Sequence, residues 1–230
     1  MAFRLMAGVG MALSLAGSVA LAQSPEDAAR WTAINAAAPT PAAEAARAAV
    51  TAAQSDCPAT GATLGVIEPV TGWRRIDEAI TDGQLANAWV VTVQRPACPA
   101  EQAFARYVLL RDPGGGLSAQ LIHVGRSHLD LDAFSETALP RAMRTAAGAA
   151  ARDIPGCSPE AVSRSAGLLR TDIVEDAGLG PAAWGRRQSG AWRERWLFGV
   201  CGRTLSVMID FEATPDGTRV TVAPWASLGR

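Results

Sequence analysis

The chain has 230 residues and no lysine: all 21 basic residues are arginine, set against 22 Asp and Glu for a formal charge of −1. No net positive field exists to gather nucleic acid or an anionic membrane surface. The absence of lysine excludes a P-loop, a Schiff base and a Ser–Lys dyad, and two histidines leave little for a multi-histidine zinc site.

Residues 1–22 read as an export signal. Arg4 supplies the positive start, residues 5–19 carry no charge, and Ala20-Leu21-Ala22 is an A-x-A cleavage site. The apolar stretch is broken by Gly8, Gly10 and Gly17, and it falls short of the roughly 20 apolar residues of a spanning helix. No twin arginine precedes it, so transport of an unfolded chain without a cofactor is expected, and no Cys follows the cleavage site to take a lipid. Cleavage leaves Gln23 first in a periplasmic or secreted chain with no transmembrane anchor. In that oxidising setting Cys57, Cys98, Cys157 and Cys201 read as two disulfides, with three connectivities to choose from.

Helix signals come first. Ser24-Pro25-Glu26-Asp27 opens one helix, and Thr40-Pro41 with Glu44 opens a second that ends near Ser55. Strands are expected over 88–94, 104–110 and 117–124, the last two joined across Asp112-Pro113-Gly114-Gly115-Gly116. A third helix is expected from Asp132 or Ala133 to about Arg152, with Pro140 bending it or delaying its start. Strands over 192–200, 205–211 and 218–222 follow, the last pair joined across Thr214-Pro215-Asp216-Gly217.

The halves keep step. Trp89 and Trp192 each precede a Cys by nine residues, Gly114 and Gly217 each follow that Cys by sixteen, and each half opens with an Ala-rich helix and a Cys. This spacing predicts duplication of a unit of about 95 residues. The fold class is α+β: residues 23–130 form one unit and 131–230 the second, each a helix packed on an antiparallel sheet of about four strands and pinned by one disulfide. If each first Cys opens a strand and each second Cys closes its antiparallel neighbour, the pairs are Cys57–Cys98 and Cys157–Cys201.

Trp192-Arg193-Glu194-Arg195-Trp196, followed by Cys201-Gly202 and a hairpin, resembles the W-x-E-x-W…C-G pattern of small exported proteobacterial proteins of unknown function. The resemblance covers about the last 75 residues and implies an exported α+β module without implying an activity. In a strand, Trp192, Glu194, Trp196 and Phe198 share one face. That face reads as core, where Glu194 is costly unless an arginine pairs with it or the face is only half covered.

There is no G-x-S-x-G, S-x-x-K or H-E-x-x-H, so no catalytic residue is assigned. His123, His128 and Asp130 are candidate metal ligands, or a base and its orienter, provided a loop folds them together; Asp130 or Asp132 equally suits a helix cap. Trp73, Arg74 and Arg75, and Trp184, Arg186 and Arg187, occupy matching long connections between the first two strands of each unit. Indole faces and guanidinium forks there suit an envelope glycan, a lipid head group, an acidic peptide or a protein partner; the plain alternative is edge-capping Trp with surface-paired Arg. The expected function is a non-enzymatic binding or interaction module of the cell envelope. The alternative is an envelope hydrolase or metal-binding protein using His123 and His128.

Overall fold

The computed structural model describes residues 42–53, 57, 59–70, 73–176, 178–180, 182–183 and 186–223. The expected export signal, the helix expected at Ser24, and Trp184 lie outside them. No helix among the described residues is long and apolar enough to cross a membrane.

Strands β1 (Thr63–Pro69), β2 (Asn87–Gln94), β3 (Phe104–Arg111) and β4 (Leu117–Val124) pair antiparallel in chain order. Helix α1 (Ala43–Ala52) lies on one face, setting Ala46, Ala49 and Val50 against Trp89, Val91, Val93, Tyr107 and Leu109. Small residues on the helix let it approach a sheet face crowded with large ones.

The other face of this sheet is also covered, because the connection between β1 and β2 is not the long loop expected from sequence. It holds helix α2 (Arg74–Thr81), whose Ile76 and Ile80, one turn apart, pack with Val70, Ala88, Val90, Val108 and Leu131. Hence β2 is buried on both faces from Asn87 to Val91.

After a connector over 125–132, the third helix opens with π-turns over Ala133–Ala138 and continues as α3 (Leu139–Asp153). Pro140 has no N–H to donate and its ring crowds the carbonyl one turn back, which a widened turn relieves. Helix α4 (Pro159–Ser165) follows, its start capped by Ser158, whose hydroxyl accepts from the Ala161 N–H. Ser158-Pro159-Glu160 carries the same signal as the expected helix starts.

The second sheet runs β10-β9-β8-β5, built from β5 (Gly167–Glu175), β8 (Ala191–Val200), β9 (Arg203–Thr214) and β10 (Gly217–Val222). A short hairpin of β6 (Ala182–Ala183) and β7 (Arg186–Arg187) sits between β5 and β8, where the first sheet has α2. Ala142, Ala146, Ala149 and Ala150 of α3 cover Trp196, Phe198, Ile209 and Phe211. On the opposite face Arg193 pairs with Asp210 at 2.6 Å, and Arg195 and Arg170 pair with Asp172 at 3.0 and 2.8 Å.

Both expected bridges are present, Cys57–Cys98 and Cys157–Cys201, with Cα separations of 5.9 and 5.8 Å. Val200 pairs with Arg203 across a two-residue loop in which Cys201 has φ 49 and Gly202 φ 71. Positive φ at both positions is what a type I′ hairpin requires, so C-G is the turn chemistry of this strand pair.

The two sheets meet at their outer strands. Gly125 and Thr171 form a parallel bridge, and the Arg126 N–H donates to the Thr171 carbonyl at 3.0 Å. Gly125 has φ +94, and a Cβ there would stand 1.9 Å from the Thr171 oxygen, so only glycine permits the contact.

The Cys157–Cys201 bridge closes 44 residues. Replacing both cysteines by Ala should lower the unfolding free energy by roughly 3–4 kcal/mol. Urea unfolding without reductant measures this, and unchanged stability would contradict a stapling role.

Candidate functional site

Glu194 lies in the middle of β8 with no exposed surface, on the Trp face. The two-residue period of the strand places Trp192 and Trp196 on either side, so both indoles turn a donor toward the carboxylate. Trp192 Nε1 donates to Oε1 at 2.9 Å and Trp196 Nε1 to Oε2 at 2.8 Å. The connector adds the Ser127 hydroxyl and the His128 backbone N–H, both to Oε1 at 2.9 Å.

Neither alternative offered by the sequence applies: the face is covered, and four uncharged donors stand where an arginine could have paired. Burial, the largest cause, leaves the Glu194 pKa raised, and these donors offset it in part. All four partners donate and none accepts a carboxyl proton, an arrangement that fits the ionised form. Arg106, buried on β3, adds a longer-range attraction.

Aromatic contacts surround this carboxylate. Phe134 lies 5.0 Å from both Trp196 and the His123 ring, and Trp192 stacks on Phe211 at 5.2 Å. His123, near the end of β4, is 4 % exposed; its Nδ1 lies 3.1 Å from Thr171 Oγ1 and 3.2 Å from the Val124 carbonyl. Its Nε2 is buried without a hydrogen-bond partner among the described residues.

His128 is held differently. Its Nδ1 accepts from Arg187 at 2.8 Å, and its Nε2 faces Asp176 at 3.3 Å. A ring that accepts at Nδ1 is neutral and donates from Nε2. Burial, the larger cause, and Arg187 lower its pKa, while Asp176 raises it.

Around His128 opens a cleft of about 270 Å³ between the two sheets. Arg106, Arg126 and Arg187 line it together with His128, Glu68 and Asp176. A neighbouring cavity of about 370 Å³ shares Arg126 and Asp176. The Arg126 guanidinium lies 4.4 Å over the Phe104 ring.

The structure joins parts of two candidates that the sequence kept separate, since His128 and Arg187 now touch. It does not bring His123, His128 and Asp130 into one cluster, and no group of three or more His, Cys, Asp or Glu is placed to hold a metal among the described residues. Asp130 instead caps the third helix, accepting from the Ala133 N–H at 2.8 Å; its other oxygen accepts from Thr218 at 3.2 Å and lies 3.7 Å from Arg186. Arg74 and Arg75 are exposed on α2, Arg74 at 3.9 Å from Glu78. Trp73 packs beside Val70 and Ile76, its Nε1 buried and without a partner among the described residues. These three take no part in the cleft.

No protein-family model, curated protein or solved structure matches the chain.

Arg106, Arg126, Glu68 and Asp176 were not singled out by sequence reasoning. Arg106 carried a readable signal, a lone charge inside the apolar run Phe104-Ala-Arg-Tyr-Val-Leu-Leu110. Asp176 carried none, because its partner His128 lies 48 residues away.

Burial first, and Arg106 second, lower the His123 pKa from 6.5 to about 3. Between those values the unfolded chain binds a proton that the folded chain refuses, so this stability is present above pH 6.5 and is lost as pH falls toward 3. The difference in unfolding free energy between wild type and His123→Gln should therefore grow by on the order of 4 kcal/mol from pH 3 to pH 7. Denaturant unfolding across that range measures it, and a difference independent of pH would contradict the assignment.

Proposed function

We propose that the chain is an exported, non-enzymatic binding module of the cell envelope, and that its ligand occupies the cleft between the two sheets. The leading segment with its A-x-A site and the two disulfides support an oxidising destination. The observation that carries the reading is the meeting of Arg106, Arg126 and Arg187 with His128 in one recess built from both sheets. A polar recess of that size, walled by both sheets and their connections, suits capture of a small polar molecule or the end of a larger one.

Binding is favoured over covalent hydrolysis because, among the described residues, no side-chain nucleophile in the cleft is held by a base. The Ser127 hydroxyl donates to Glu194 and accepts from the Leu129 N–H, so it is not poised toward a base. Both ring nitrogens of His128 are engaged, by Arg187 and Asp176. Covalent hydrolysis needs a side-chain nucleophile held by a free general base, and no such pair is built among the described residues.

A thermal-shift panel of small anions, cations, zwitterions and neutral sugars tests the reading. At least one class should raise the Tm of the wild type, lose that effect in the Arg126→Ala/Arg187→Ala variant, and keep it in Arg74→Ala/Arg75→Ala. A wild type that responds to no class would contradict it.

A further inference from the structure

Resting on that reading, we infer that the cleft recognises its ligand through a single carboxylate or phosphate group, held by Arg106 and Arg187 with Arg126 beside them. The side chains on β3 alternate, so Ala105, Tyr107 and Leu109 turn toward α1 while Arg106 turns into the cleft. Arg106 is 5 % exposed, and among the described residues its hydrogen bonding is to the Leu129 carbonyl. A guanidinium is a fork of five donors, and most of this one's remain unspent in a wall facing the recess.

The other two arginines are similarly uncommitted to acids. Arg187 donates to His128 Nδ1 at 2.8 Å and to the Gly180 carbonyl at 3.3 Å, and Arg126 rests over Phe104. None of the three has a carboxylate within ion-pair distance among the described residues, whereas Arg170, Arg193 and Arg195 on the outer face of the second sheet all do. Planar forks free of carboxylate partners are what bidentate recognition of an oxyanion uses.

The acids near the cleft set the charge of its occupant. Glu68 and Asp176 share the walls, Asp176 already facing His128 Nε2. Glu194 stands behind them with its oxygens occupied, and Asp130 is spent on the helix cap and Arg186. Three guanidiniums face two lining carboxylates, and Glu194 and Asp130 also act on Arg106 from behind, so the recess suits one negative group and disfavours a polyanion. His128 orients Arg187 by accepting its N–H, so a neutral imidazole is part of the arrangement.

Acetate and inorganic phosphate, titrated separately at constant ionic strength, are the probes. Tm and the Nε–H resonances of Arg106 and Arg187 are the readouts. At least one probe should raise the wild-type Tm and move both resonances, and its affinity should weaken about tenfold or more in Arg187→Gln, the cost of a charge-assisted hydrogen bond. A response to acetate alone assigns a carboxylate ligand, to phosphate alone a phosphate ligand, and to both the shared oxyanion chemistry. If Arg106→Gln fails to fold, movement of the wild-type Arg106 resonance still decides that residue's part. Equal affinity in Arg187→Gln places the ion elsewhere and overturns the inference. Silence from both probes, with a neutral or cationic compound of the panel active, overturns the inference while the binding reading stands. Silence from the whole panel removes both.

Discussion

A carboxylate with no exposed surface sits at the centre of the second sheet, and the arrangement of the connector follows from satisfying it. An ionised group in a low-dielectric interior is tolerable only when its oxygens are filled. Trp192 and Trp196 provide two donors from the same strand, at no cost in topology. The other two come from Ser127 and His128, outside the sheet altogether. Glu194 therefore ties residues 127–128 to the second sheet and fixes where the chain crosses from one sheet to the other.

The cleft follows from that crossing. Once Ser127 and His128 are pinned, Gly125 and Arg126 lie against Thr171, and the outer strands β4 and β5 touch at one bridge. The sheets meet there, and cavities open on both sides of Arg126. Arg106 reaches the recess from the first sheet, while Asp176 and Arg187 reach it from the connection between β5 and β8. Leu169 and Val174 mark the same region: each is the extra residue at a register shift of β5, and both are exposed on this edge strand. Bulges of this kind blunt a sheet edge against pairing with another chain.

Much of the architecture was legible because it is written locally. Turn residues between β3 and β4 and between β9 and β10, the alternation of β8, and the matched Trp–Cys spacings all follow from the period of a strand or the demands of a turn. Helix α2 was missed because it has only eight residues and its helical signal is carried by Ile76 and Ile80 alone. The site was legible only in fragments. His128 and Arg187 stood out as residue types, yet their contact spans 59 residues and depends on the crossing that Glu194 fixes. Glu194 itself was recognisable as a cost, but its solution was not: Trp indoles were counted as apolar bulk, whereas here their N–H groups complete the carboxylate's coordination.

The most direct test of this account is the ¹H–¹⁵N spectrum of the folded protein at neutral pH, read at the Trp192 and Trp196 indoles and the His128 amide, in wild type and in Glu194→Gln. Donation to a buried carboxylate predicts that all three resonances are displaced downfield and exchange slowly in the wild type, and that they move together in the variant. Indole resonances at free positions, exchanging rapidly and indifferent to the substitution, would mean that Glu194 organises neither the crossing nor the cleft beside it.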